Sequence, residues 1–291
     1  MTTSEKTVLT VKTTVIAPAE LVWAAWTAPE HITKWNNASP DWHTPKAESD
    51  LRPGGRFSSR MEARDGSMGF DFWGVFDVVK PLQTLAYTMG DGRKAIISFN
   101  ADGNQTHIAE SFDAETENSI ELQQQGWQAI LDNFKAYTES LMAKSLHFEI
   151  AISAPAAKVY QTMIGAKTYP QWTAAFNPTS TFEGTWAKGS EMRFIGTDEK
   201  GEVGGMISQI EENMENEFVS IVHNGMILNG KEIWEGPELD SWKGSREMYR
   251  FTESGGNTTL SITLEGMNEM MDYFMDTWPK ALEILKSISE K

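Results

Sequence analysis

Five histidines, His31, His43, His107, His147 and His223, are the side chains best suited to exchange a proton near neutral pH. No two stand at the i, i+4 spacing that lets one helix offer a pair of imidazoles to zinc. The chain has no cysteine, which removes thiolate ligands, disulfides and cysteine nucleophiles together. We therefore expect no metal and no cofactor. There is no Gly-x-Ser-x-Gly elbow and no Walker or dinucleotide-binding glycine loop. His147 sits on the polar face of an alternating stretch and reads as solvated. His107 follows a hairpin turn, and His31 falls in a short helical stretch. His43, in SPDWHTP, and His223, in IVHNG, are the two that remain as candidate acids or bases, with Glu110 beside them. No residue is assigned as catalytic.

The charge pattern narrows the partners. Arg56, Arg60 and Arg64 cluster, but Glu62 and Asp65 lie among them, so no basic patch forms. The net charge is −16; residues 1–143 carry 12 basic and 19 acidic side chains, and 144–291 carry 13 and 22. Both halves are acidic, which opposes nucleic acid and anionic membranes. No run approaches the ~18 apolar residues of a membrane span, so no membrane insertion is expected. The opening MTTSEKTVLTVKTTV has no apolar secretory core and reads as the lead-in to a strand. These features together fit a cytoplasmic protein.

What positions the candidates is a repeat. APAELVWAAWTAPEHITKW (17–35) returns as APAAKVYQTMIGAKTYPQW (154–172). Pro18 and Pro155, Val22 and Val159, Trp23 and Tyr160, and Trp35 and Trp172 are each 137 apart. The offset slips to 134 at Gly55/Gly189 and 133 at Leu85/Phe218, then jumps to 152 at Phe99/Phe251 and 151 at Trp127/Trp278. About nineteen extra residues therefore fall in the second copy, near 223–246. A period this long is a duplicated domain, since solenoid units repeat every ~20–50 residues. The expected domains are 1–143 and 144–291, the latter carrying the insertion.

Each unit opens with a strand: Leu146, Phe148, Ile150 and Ile152 alternate with His147, Glu149 and Ala151. Pro18 and Pro155 suit the first turn of a helix, and a short helix pair ends at Trp35 or Trp172. Strand-like runs with turn punctuation follow. GFDFWGVFDVV sets Phe70, Phe72, Phe76 and Val78 against Asp71, Trp73, Val75 and Asp77, which puts Trp73 on the outer face. ADGN (101–104) and ESGGN (253–257) are hairpin loops. A long helix closes each unit, through Trp127, Ile130, Leu131 and Phe134 in one and Met271, Phe274, Met275, Trp278, Leu282 and Leu285 in the other. Pro279 should kink that second helix or start a fresh segment. The count is about seven antiparallel strands per unit, an α+β fold.

This order resembles the helix-grip fold of the START / Bet v 1-like (SRPBCC) superfamily. The first copy is the closer match: DLRPGGRFSSRM, FWGVFDVVKPLQTLAYT and GWQAILDNFKAY look like successive motifs of the branch related to the C-terminal domain of the heat shock protein 90 ATPase activator. The second copy shares the frame but has Ala187-Lys188-Gly189 at the Pro-Gly-Gly turn. The resemblance implies two tandem domains, each a curved antiparallel sheet around its C-terminal helix, with a cavity for a small apolar ligand between the sheet and that helix. The candidate lining is Trp35, Phe57, Phe72, Phe76, Trp127 and Phe134 in the first copy, and Trp172, Met192, Ile207, Met271, Met275 and Trp278 in the second. His43 and His223 are expected near the cavity rims. Binding of a small hydrophobic molecule is the leading expectation. A cyclase- or hydratase-type enzyme, with His43, His223 or Glu110 in the cavity, and a stress-response co-chaperone module with a chaperone partner are the alternatives. The insertion is expected to form a lid or to pack between the copies. Nothing in the sequence sets an oligomeric state.

Overall fold

The computed structural model describes residues 7–240, 242–267 and 270–291. The chain separates into two compact units between Ala143 and Lys144.

The first unit begins with β1 (Val8–Val15), whose Leu9, Val11 and Val15 are buried. Pro18 occupies the cap of α1 (Ala19–Thr27), one position ahead of the first helical residue. There its fixed φ and missing N–H cost nothing. Next come α2 (Pro29–Trp35), β2 (Trp42–Ser49), β3 (Arg56–Ala63), β4 (Gly69–Lys80), β5 (Thr84–Met89), β6 (Lys94–Asp102) and β7 (Gln105–Asp113). The last element is the 23-residue α3 (Ile120–Met142), started by Ser119, whose hydroxyl accepts the Leu122 N–H. The seven strands form one antiparallel sheet in the order β1-β7-β6-β5-β4-β3-β2. Bulges in β2 (His43/Lys46) and β4 (Phe76/Val78) break the register, and such bulges bend a sheet. The curled face holds α3 through Leu131, Phe134 and Thr138.

The second unit repeats the plan: β8 (Leu146–Ile152), α4 (Ala156–Ile164), α5 (Tyr169–Thr173), β9 (Thr181–Gly184), β10 (Glu191–Thr197), β11 (Val203–Met214), β12 (Phe218–Leu228), β13 (Lys231–Ile233), β14 (Arg246–Ser254), β15 (Asn257–Glu265) and α6 (Met271–Ser289). Its sheet runs β8-β15-β14-β12-β11-β10-β9, with β13 added on β12. The eighth strand comes from the 223–246 segment, which builds the hairpin Leu228↔Lys231. Helix α6 continues through Pro279 as one element, so of the two expectations, a kink or a fresh segment, the fresh segment does not occur. Pro279 faces solvent while Trp278 beside it is buried.

Three side-chain bonds recur in both copies and explain why the repeated residues repeat. The Trp35 indole N–H donates to the Ala25 carbonyl at 2.9 Å, and Trp172 donates to Met163 at 3.0 Å, tying the two short helices together. Thr106 donates to the Ala17 carbonyl at 3.0 Å and Thr258 to Ala154 at 2.7 Å, fixing the corner after the first strand to the last strand. Glu139 accepts the Ile16 N–H at 2.8 Å and Glu290 accepts the Ser153 N–H at 2.7 Å, locking that corner to the closing helix. Each such bond contributes roughly 0.5–1.5 kcal/mol. The hairpin turns match as well. Asp102↔Gln105 closes over Gly103-Asn104, and Ser254↔Asn257 closes over Gly255 and Gly256 at φ +60° and +77°. Positive φ at both central residues of the second turn, and at Gly103 (+55°) in the first, fits the two-residue turns that suit right-twisted strands.

Candidate functional site

In the first unit, a hollow of about 310 Å³ lies between the sheet and α3. Trp35, Phe57, Phe72, Phe76 and Trp127 all border it. Their rings contact one another: Phe57 is 5.1 Å from Phe76 and 4.8 Å from Tyr87, and Phe72 is 6.3 Å from Trp127. Trp127 is held flat against Phe112 at 3.9 Å. Phe134 is not a wall residue. It is fully buried, 4.7 Å from Trp26 and 5.0 Å from Trp35, and props those two rings from behind. His43 also stays out of the hollow. It faces Glu62 across the β2–β3 pair, with Nε2 3.8 Å from that carboxylate, and is about one-third exposed.

One ionisable group reaches the wall from the sheet. Glu110 on β7 pairs with Val11 and Ile97, so its side chain projects on the buried face. It is 6% exposed, and among the described residues its carboxyl's only hydrogen bond is from the Tyr87 hydroxyl to Oε1 at 3.4 Å. Burial raises the Glu110 carboxyl from 4.5 to about 8, the Tyr87 bond opposing this only in part. At pH 7 the group is mostly protonated. Burial, and then the neighbouring Glu110 charge, likewise push the Tyr87 phenol well above its ordinary value.

In the second unit, a larger hollow of about 560 Å³ lies under α6. Trp172 and Trp278 border it, together with Tyr169, Trp186, Phe194 and Met226. The other expected wall residues lie elsewhere. Met192 is fully buried in the core. Ile207 opposes Arg193 and Gly225, on the face of the sheet away from the Phe194–Met206–Met226 row. It is buried even so, because Trp234 of the insertion covers that face beside Gly225. Met275 is 54% exposed. It follows the inward Phe274 by one residue, a turn of about 100° around the helix. Met271 packs against the core without bordering the hollow, while Met267 and Met270 do border it.

His223, expected at a rim, is sealed inside the sheet with no exposed surface. Its Nδ1 is 2.8 Å from Ser208 Oγ, and its Nε2 is 3.5 Å from Glu247 Oε1. Glu247 itself borders the hollow and accepts the Tyr249 hydroxyl. Burial first, and Glu247 second, raise both Tyr249 and Tyr169 far above the usual phenol range. The insertion supplies Glu238, Trp242 and Ser245 to the wall. Trp242 N–H donates to the Glu238 carbonyl at 2.9 Å and Lys243 to the Trp234 carbonyl at 2.5 Å, so this segment closes on itself over the hollow.

The sequence reading missed Trp26, Tyr87, Trp242 and Glu247 as wall residues. Tyr87 had a signal: it alternates with Leu85 and Met89 on β5, all three buried. Trp73, on the outer face, is covered by the Arg56 guanidinium 4.4 Å from its ring centre. No group of three or more His, Asp or Glu side chains among the described residues could hold a metal ion. No helix of the described residues is long and apolar enough to cross a membrane.

A curled antiparallel sheet gripping a long C-terminal helix, twice in one chain, defines the Bet v 1-like (SRPBCC) class. Residues 16–139 match the family model for Activator of Hsp90 ATPase homolog 1-like protein. The AHSA1-like protein from Aeromonas hydrophila, solved in solution, is 44% identical over 46% of this chain and 93% of its own, with a TM-score of 0.44. A Cytophaga hutchinsonii protein is 54% identical over the same shares, with a TM-score of 0.41. The di-domain ARO/CYC StfQ from the steffimycin biosynthetic pathway is 13% identical over 97% of this chain and 98% of its own, with a TM-score of 0.38. No curated protein matches the chain. Through its first unit, the chain belongs to the Activator of Hsp90 ATPase homolog 1-like family.

Proposed function

We propose that this protein binds small, largely apolar molecules in the hollows between sheet and closing helix, and that the second unit holds the roomier site. The supporting observation is the 560 Å³ hollow, walled mainly by aromatic and methionine side chains with a few polar groups among them. Ligand sites typically span ~300–1,000 Å³ with this kind of lining. The 310 Å³ hollow of the first unit sits at the lower end of that range. The insertion acts as a cover over the second site through Trp242.

The test is direct. The full chain purified from cells is examined by native mass spectrometry, then titrated with 1-anilinonaphthalene-8-sulfonate and challenged with a panel of hydrophobic compounds. Dye uptake that apolar compounds reverse is the expected result. A chain that carries nothing and takes up no dye contradicts the reading.

One observation favours an enzymatic reading in second place. A carboxyl that is protonated at pH 7 and borders a hollow can deliver a proton to a bound substrate. His43 and His223, the other candidates, do not border either hollow. With a substrate in hand, unchanged turnover by Glu110→Gln would remove this reading. The co-chaperone alternative draws on the family description alone, and stimulation of a chaperone ATPase by the purified chain is its assay.

A further inference from the structure

The first hollow pairs two features that apolar binding alone does not call for. Its walls carry aromatic rings: Phe57, Phe72, Phe76, Tyr87 and Trp127, linked ring to ring. Among them stands a carboxyl with one weak bond to spare, Glu110, more than nine-tenths buried and bordering the hollow. A neutral hydrocarbon leaves that carboxyl unused and desolvated, which is costly. A cation satisfies both features. Aromatic faces attract a positive charge through their quadrupole, and a buried carboxylate is stabilised by an opposite charge within a few ångströms.

We propose that the first hollow binds an organic ammonium ion, with the Glu110 carboxylate as its counter-ion and the aromatic faces as its walls. This rests on the ligand-binding reading above and names the ligand class of one site. The surrounding charges agree with it. Tyr87 on β5 offers a neutral phenol. Opposite Glu110, β1 and β6 present Val11 and Ile97, and α3 presents Trp127 and Leu131, none of which titrates. Arg93, at the margin, is already committed to Asp91 at 2.8 Å and to the Asp113 carbonyl at 3.4 Å. Glu48, on the other margin, pairs with Lys46 at 2.6 Å. The acidic excess of residues 1–143, 19 acidic against 12 basic, draws cations toward the unit.

Binding is tied to a proton. The empty site holds Glu110 protonated below about pH 8. An incoming ammonium displaces that proton to solvent, leaving a carboxylate–ammonium pair. Affinity therefore rises with pH until the carboxyl is ionised in the empty site, and then levels off.

Benzyltrimethylammonium and its uncharged isostere neopentylbenzene form a matched pair of probes. Both are titrated into the full chain calorimetrically at pH 6.5 and 8.5, in buffers of different ionisation enthalpy. Tighter binding of the ammonium at pH 8.5 is expected, weakening about 25-fold at pH 6.5, the ratio of ionised fractions for a group titrating near 8. About one proton is released per ligand at pH 6.5. Glu110→Gln removes the pH dependence and the proton release of ammonium binding. Because the second hollow is untouched by this variant, the loss assigns the effect to the first. The inference is overturned if ammonium binding ignores pH or the Glu110→Gln change. Neopentylbenzene binding alone leaves the carrier reading standing and removes this one. Failure of both probes removes both.

Discussion

Glu110 should cost the first unit stability as pH rises, and by an amount the structure sets. The carboxyl titrates at about 8 in the folded protein against 4.5 for the free side chain. Between those values the native state keeps a proton that the unfolded chain has released. The Glu110 contribution to stability is therefore fully present below about pH 4.5 and is lost as pH rises through 8, the reverse of a salt-bridged carboxylate. The full span of 3.5 units corresponds to about 5 kcal/mol. From pH 5.5 to 7.5 the loss is about 2.5 kcal/mol, since the slope flattens near the folded pKa. Glu110→Gln keeps a neutral side chain of the same shape and removes the slope. The assay is urea unfolding of wild type and variant at several pH values. Hydrogen exchange of β7 and α3 peptides follows the first unit, and α6 peptides serve as an internal reference. The difference between the two proteins isolates Glu110 from every other titrating group. Equal pH slopes in both proteins would refute the buried, protonated carboxyl, and with it the proton linkage of the ligand site.

Phe134→Ala should destabilise the first unit by ~3–5 kcal/mol, because it removes the ring wedged between Trp26 and Trp35; a loss under ~1 kcal/mol in urea unfolding contradicts the packing. Ser119→Ala should cost about 0.5–2 kcal/mol by leaving the Leu122 N–H uncapped at the start of α3, and unchanged exchange of the first turn argues against the cap. Met206→Trp, at the wall of the larger hollow, should abolish dye uptake there while the unfolding midpoint stays close to wild type; retained uptake means the dye binds elsewhere. Met275→Ser should change stability by no more than ~0.5 kcal/mol and leave binding unaltered, since that side chain faces solvent.

The duplication, the succession of elements along the chain and the closing helices were legible because each shows in the sequence itself: the recurring cassette, alternation, turn glycines and helical spacing. The recurring Trp35/Trp172 and Pro18/Pro155 pairs marked structural joints, and the structure shows the bonds that use the tryptophans. Other features depend on neighbours that no local pattern reports. The bulge after Phe76 pairs Val79 with buried Leu85, so Val79 and not Val78 shares the face of Phe76. Met275 and Phe274 differ by one helical step, and only the fit against the sheet decides which turns inward. Ile207 satisfies the apolar pattern but is buried on the outer face, beneath a segment that the first copy lacks. His223 is expected near a cavity rim, yet β12 carries it into the middle of the sheet. Glu110 was readable in part. In QTHIAESFD it shares its face with Ile108 and Phe112, a carboxyl in an apolar row.

The most direct test of hollow interiors is a crystal of the full chain pressurised with xenon, which enters dry apolar cavities without needing any particular shape or charge. Xenon density is predicted among Phe57, Phe72 and Trp127 in one unit and among Trp172, Phe194 and Trp278 in the other. Side chains closed over both spaces, with no xenon in either, would contradict the account.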